Sequence, residues 1–163
     1  MPSTNVRASL LTGRERIVNL LADLEETGDR DCVADVIEAV TTQLAVEGAA
    51  LRALSARDVH THVHAIEHAR ARFALFRFAT APRGSPAFRH AAGDLLDAFR
   101  ERPYALSLVL AARLEEREQA SLAERLELLA ARLAHPTRAT RELARTLERC
   151  ERTLGCMARL GAA

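Results

Sequence analysis

Apolar residues recur along this chain at intervals of three and four positions, and no long stretch alternates apolar and polar residues. Intervals of three and four place side chains on one face of an α-helix, whereas alternation is typical of a β-strand. The clearest example is a C-terminal seam whose members lie alternately four and three positions apart: Leu143, Leu147, Cys150, Leu154 and Met157. The pattern therefore predicts an all-α protein.

Capping residues and helix-breaking residues mark where the first helices begin and end. Residues 12–15 have the capping-box sequence Thr-Gly-Arg-Glu, so the first helix is predicted to run from there to about Glu26. Gly28 provides a left-handed stop, and the second helix is predicted over residues 31–54. The apolar seam of this second helix is interrupted at Glu47.

The remaining helices are delimited in the same way. A cap at Ser121 could divide the longest of them, although one continuous helix is the favoured interpretation. The third predicted helix begins at the cap of residues 55–58 and ends near Thr80. The fourth runs from Ser85 to about Arg102, and the fifth runs over residues 103–134. The last helix begins after the break at residues 135–137.

Long helices joined by short loops pack most readily as antiparallel neighbours. The sequence therefore predicts an up-and-down antiparallel bundle of about five to six helices, several of them long. Its 163 residues suffice for one domain with a core of its own. We expect a flexible N-terminus over residues 1–10 and a single α-helical bundle domain over residues 11–163.

Composition and charge narrow the possible functions. Aromatic residues make up 4% of the chain, so the core must be mainly aliphatic, and every basic residue is Arg. A net charge of +1 argues against binding nucleic acid or membrane over the whole surface, so any anion site must be local. The three cysteines form no C-x-x-C motif, which fits a reducing compartment. The sequence also has no hydrophobic leader and no membrane-spanning run, so we expect a cytoplasmic protein, located in the host cytosol if the source is viral.

Four of the six histidines lie within residues 60–68. His60, His64 and His68 are four residues apart, and histidines at that spacing on a helix can bind one metal ion. The favoured interpretation is a stripe of exposed histidines, because Val63 and Ile66 indicate a core face elsewhere on the helix. Metal binding by a helical sensor or enzyme stays as an alternative, and no cofactor is expected.

The stretch of residues 68–93, here called the Arg/Phe segment, contains no carboxylate and four of the five phenylalanines. Arg and aromatic side chains are enriched at protein interfaces. The segment also includes a loop that leads into a helix N-terminus, where an anion would be favoured beside Arg83. The candidate partner-binding or anion-binding residues are its five arginines: Arg70, Arg72, Arg77, Arg83 and Arg89.

These observations favour a protein that acts by binding. No nucleophile, base and orienting group can be assembled from the sequence, so a non-catalytic protein is expected. We expect it to bind another protein or its own copy through a surface built by the Arg/Phe segment. The alternative from the same residues is a module that binds an anion such as phosphate, a nucleotide or nucleic acid.

Overall fold

The computed structural model describes residues 5–28, 30–56, 61–100 and 105–134, and residues 141–143, 145, 146 and 149. These residues form α-helices and no strands, which confirms the all-α prediction. The six helices with defined bounds are α1 (Val6–Thr27), α2 (Arg30–Ser55), α3 (His62–Thr80), α4 (Pro86–Arg100), α5 (Ala105–Arg113) and α6 (Glu116–Leu133).

Helix α1 begins six residues before its predicted start. Its N-cap is Asn5, whose side chain accepts a hydrogen bond from a backbone N–H of the first turn. Thr12 lies inside the helix, and its hydroxyl donates to the Ala8 carbonyl at 3.0 Å instead of capping. The early start has a packing reason, because Val6 and Leu10, which the prediction placed in the flexible N-terminus, are buried.

The predicted continuous helix over residues 103–134 is wrong, because the chain breaks between α5 and α6. Glu115 is the N-cap of α6 and forms a reciprocal capping box with Glu118, whose carboxylate accepts from the Glu115 N–H at 2.9 Å. Glutamate is uncommon at an N-cap, which is why the pattern was read as uninterrupted. Ser121, the alternative break, lies within α6.

The centre of the fold is a hairpin of α1 and α2, joined at Gly28 with φ of 65°. Helices α3 and α4 cover one part of this hairpin, and α5 and α6 cover the other. Two apolar cores result. The first core includes the buried residues Ile17, Leu75, Phe78, Leu95 and Phe99, and the second includes Val6, Leu10, Leu54, Leu110 and Leu126.

The C-terminal seam lies mostly outside the described residues. Leu143 packs against the first core and Thr146 is buried, whereas the other predicted seam positions lie outside the part of the chain that is described.

A buried polar network separates the two cores along α1 and α2. Its centre is the Glu47 carboxylate, which is 3% exposed. Arg14 binds it through two nitrogens, at 2.7 Å from Nε and 3.1 Å from Nη2. Gln43 Nε2 donates both to Glu47 Oε1 at 2.8 Å and to the Leu10 carbonyl at 3.0 Å. The Arg14 guanidinium also lies over the Phe99 ring, with its carbon 5.3 Å from the centroid.

This network explains why a charged residue interrupts the seam of α2. A buried carboxylate is tolerated only when it is paired and its lone pairs are satisfied. Because Arg14 comes from α1 and Glu47 from α2, their two-point contact specifies how the two helices align along their length. Removing Arg14 alone would leave Glu47 buried and unpaired.

Two glycine substitutions test the network. Gly13 lies beneath the Gln43 carboxamide, so the Cβ of Gly13→Ala would collide with Gln43 Oε1 and displace it from Leu10 and Glu47. The lost hydrogen bonds are partly offset by the gain from replacing a helical glycine, so we expect Gly13→Ala to lower the free energy of unfolding by about 0.5–2 kcal/mol. The matched control is Gly93→Ala on α4, where a Cβ meets nothing within 4 Å, and it should raise the value by about 0.5–1 kcal/mol. Urea denaturation measures both, and equal gains in stability would contradict the described network.

Candidate functional site

Helix α3 carries two seams of helical spacing on opposite faces. The inner seam consists of His64, His68, Ala71, Leu75 and Phe78, and its last three members are buried in the first core. The second seam, here called the outer seam, consists of His62, Ile66, Ala69, Phe73, Phe76 and Thr80. Both seams alternate intervals of four and three residues, which is the spacing at which helices pack against each other.

The outer seam exposes large apolar side chains. Ile66 is 56% exposed and Phe73 39%, and Val63 at the edge of the seam is 60% exposed. The Phe73 and Phe76 rings stack with centroids 6.3 Å apart. Three of the five large apolar side chains found exposed in the described part of the chain therefore lie on α3, the others being Leu108 and Leu128.

The predicted orientation of the histidine helix is wrong. Val63 and Ile66 were expected in the core and are exposed, whereas His64 and His68 face the bundle. His68 is partly buried because its Nε2 hydrogen bonds to the Leu44 carbonyl of α2 at 2.8 Å. Gly48 lies beside the His68 ring, and a Cβ at that position would be in ordinary contact with the same nitrogen, at 3.4 Å.

The histidines offer limited means of holding a metal. His60 lies outside the described residues, and no group of three or more potential metal ligands converges within the part of the chain that is described. His64 Nδ1 lies 3.7 Å from Glu67 Oε2. The His68 Nε2 atom is already bound to a backbone carbonyl, so it would have to leave Leu44 to coordinate a metal.

Two of the predicted arginines lie on one flank of the outer seam. Arg70 and Arg77 are seven residues apart on α3 and both are exposed. Arg77 pairs with Asp94 of α4, which is the first carboxylate after the Arg/Phe segment. Arg70 has no hydrogen-bond or ion-pair partner among the described residues. Arg72 lies on another side of α3 and is half-buried.

The other two arginines lie at the connection between α3 and α4. Arg83 donates to the Phe78 carbonyl at 3.0 Å, near the end of α3. Its guanidinium carbon also lies 4.9 Å from the Phe88 ring centroid. Arg89 donates to the Gly84 carbonyl at 3.3 Å. Backbone carbonyls and an aromatic ring, rather than carboxylates, therefore partner these two guanidinium groups.

The N-terminus of α4, which was predicted to favour an anion, is occupied by its own cap. The Ser85 hydroxyl accepts from the Phe88 N–H at 3.1 Å and donates to the Pro82 carbonyl at 2.7 Å. Pro86 has no N–H to offer. An anion beside Arg83 would have to compete with these contacts, so the geometry favours the outer seam over this helix end as the candidate site.

Comparisons of the chain with models of protein families, with curated proteins and with solved structures find no match. Among the described residues, no helix combines the length and apolar character needed to cross a bilayer.

The position of His68 predicts a pH dependence of stability. Burial lowers the pKa of His68 below 6.5, and its bond to Leu44 and the charge of Glu47 partly oppose that effect. Because folded His68 takes up a proton less readily than the unfolded chain does, its contribution to stability is present above about pH 6.5 and lost below it.

We expect the free energy of unfolding to fall between pH 7.5 and 5.5, and to fall less in His68→Gln, which can still donate to Leu44 but does not titrate. Urea denaturation at several pH values measures this difference, with circular dichroism confirming equal helicity. Equal slopes in the two proteins would mean that His68 is not buried against α2.

Proposed function

We propose that this chain is a non-catalytic helical protein that binds another protein or a second copy of itself through the outer seam of α3. One observation carries the proposal: α3 has two apolar seams, and the described bundle buries only one of them. A helix that is apolar on opposite faces is normally buried on both.

The free energy gained by burying apolar side chains favours a state in which a partner covers the outer seam. Moving a large apolar side chain from water into a packed interface contributes about 1.5–3 kcal/mol. When the chain is alone, Ile66 and Val63 keep more than half of their surface in water, and Phe73 keeps 39%. Clustered exposure of this kind on a folded protein marks an interaction surface more often than scattered single residues do.

The residues around the seam are of the types that contribute most to protein interfaces. Phe73 and the half-buried Phe76 form a stacked pair in the C-terminal half of the outer seam, with Arg70 and Arg77 on one flank. Aromatic and Arg side chains are enriched at interface positions that dominate affinity. Arg83 and Arg89 instead support the fold locally, so they contribute to the surface less directly than Arg70 and Arg77.

Site-specific photocrosslinking in the source cells tests this function. The photoreactive amino acid p-benzoylphenylalanine replaces Phe73 in one variant and Leu128 of α6 in the control, because both side chains are exposed and apolar. We expect irradiation to give covalent adducts of defined mass from position 73 and none from position 128. The added mass distinguishes a second copy from a different protein.

A specificity control completes the experiment. Ile66→Ser in the chain that carries the crosslinker at position 73 should reduce the adduct severalfold without changing the circular-dichroism spectrum, because Ile66 is exposed in the free chain. Adducts of equal yield from positions 73 and 128 would contradict the proposed surface, and so would their absence from position 73.

A further inference from the structure

We propose that the partner of the outer seam is an acidic amphipathic helix of another protein. This inference rests on the proposed function and specifies the chemistry of the partner. It follows from the shape of the seam, from the arginines beside it, and from what a second copy of the chain would bring to the same surface.

The shape of the seam suits a helix. Its six positions extend over residues 62–80, which corresponds to about 27 Å along the helix axis. Ala69, a small side chain, lies between the larger side chains of Ile66 and Phe73 along the seam. A partner helix with apolar residues at the same alternating spacing can place one of them over Ala69.

The charges beside the seam specify an acidic partner. From His62 to Thr80, α3 holds three arginines and one carboxylate, Glu67, and no carboxylate follows until Asp94. Arg70 is exposed and has no partner among the described residues, so it is available to a carboxylate of another chain. Charges at the edge of a helix pair mainly select the partner and add less to the affinity.

A second copy of this chain fits the seam in shape but not in charge. In a two-fold antiparallel pair centred at the level halfway between His62 and Thr80, Phe73 of each copy would lie opposite Ala69 of the other. Arg70 lies beside that midpoint, so the two Arg70 guanidinium groups would face each other. Like charges across a helix pair disfavour it. An acidic helix keeps the apolar fit and replaces this repulsion by attraction.

Two synthetic peptides test the inference with the full chain. Each is an amphipathic helix of about three heptads with leucines at alternating spacing, flanked by glutamates in one peptide and by lysines in the other. The like charges within each peptide keep it from pairing with itself. Fluorescence anisotropy of the labelled peptides, titrated with the chain at low and moderate salt, measures the two dissociation constants.

We expect the Glu-flanked peptide to bind roughly tenfold more tightly than the Lys-flanked peptide, with the preference shrinking as salt increases. Arg70→Glu should reverse or abolish the preference, because it changes the charge beside the seam. Arg117→Glu on α6, an equal change of charge at an exposed position away from the seam, should leave it intact. Phe73→Ser should weaken binding of the Glu-flanked peptide severalfold while the helical circular-dichroism signal is kept.

Other results would overturn the inference, and they separate its failure from that of the proposed function. Equal binding of both peptides that Phe73→Ser abolishes would retain the seam as a docking surface and reject an acidic partner. Sedimentation as a dimer that Phe73→Ser dissociates would identify a second copy as the occupant. Absence of binding by either peptide, together with a monomer and no adduct at position 73, would reject both proposals.

Discussion

The arrangement of the helices depends on an almost fully buried carboxylate. Glu47 of α2 lies between two apolar cores, and it is tolerated there because Arg14 of α1 and Gln43 of α2 together donate three hydrogen bonds to it. Because Glu47 must stay paired with Arg14, only one alignment of α1 along α2 is allowed, and a shift by one turn would separate these two charges. The α1–α2 hairpin then presents one region to α3 and α4 and another to α5 and α6.

The rotation of α3 follows from the same region of α2. His68 bonds to the Leu44 carbonyl one turn before Glu47. This contact turns the inner seam toward the hairpin, and Leu75 and Phe78 complete the first core. The outer seam must then face away from it. The exposed face is thus a consequence of how the buried polar groups are satisfied, and not of a shortage of apolar residues in the core.

The sequence predicted the fold class and most helix boundaries because both depend on local spacing and on cap residues. The break at Glu115 was missed because glutamate rarely caps a helix, and the early start of α1 because Thr12 sits in a capping-box sequence that the structure does not use. The side of α3 that faces the core could not be predicted, since two seams of equal periodicity compete. The tertiary contacts of the inner seam, the bond of His68 to Leu44 and the packing of Leu75 and Phe78 in the first core, decide between them.

The candidate site was predicted in part. Residues 68–93 were singled out because they lack carboxylates, and Arg70 and Arg77 do lie beside the exposed seam. Arg83 and Arg89 instead bind carbonyls at the connection between α3 and α4, which no sequence pattern indicates. Val63 and Ile66 were assigned to the core, because their exposure is a property of the packed bundle and not of helical spacing.

The orientation of α3 is the claim on which both functional proposals depend, and hydroxyl-radical footprinting of the unmodified chain tests it most directly. Oxidation of phenylalanine rings follows their exposure to solvent, and mass spectrometry resolves each position. Phe73 should be oxidised several times faster than Phe78 and Phe99, which are 0% and 1% exposed. Protection of Phe73 equal to that of Phe78 in the monomeric chain would show that the outer seam is covered within the protein and would contradict the described arrangement.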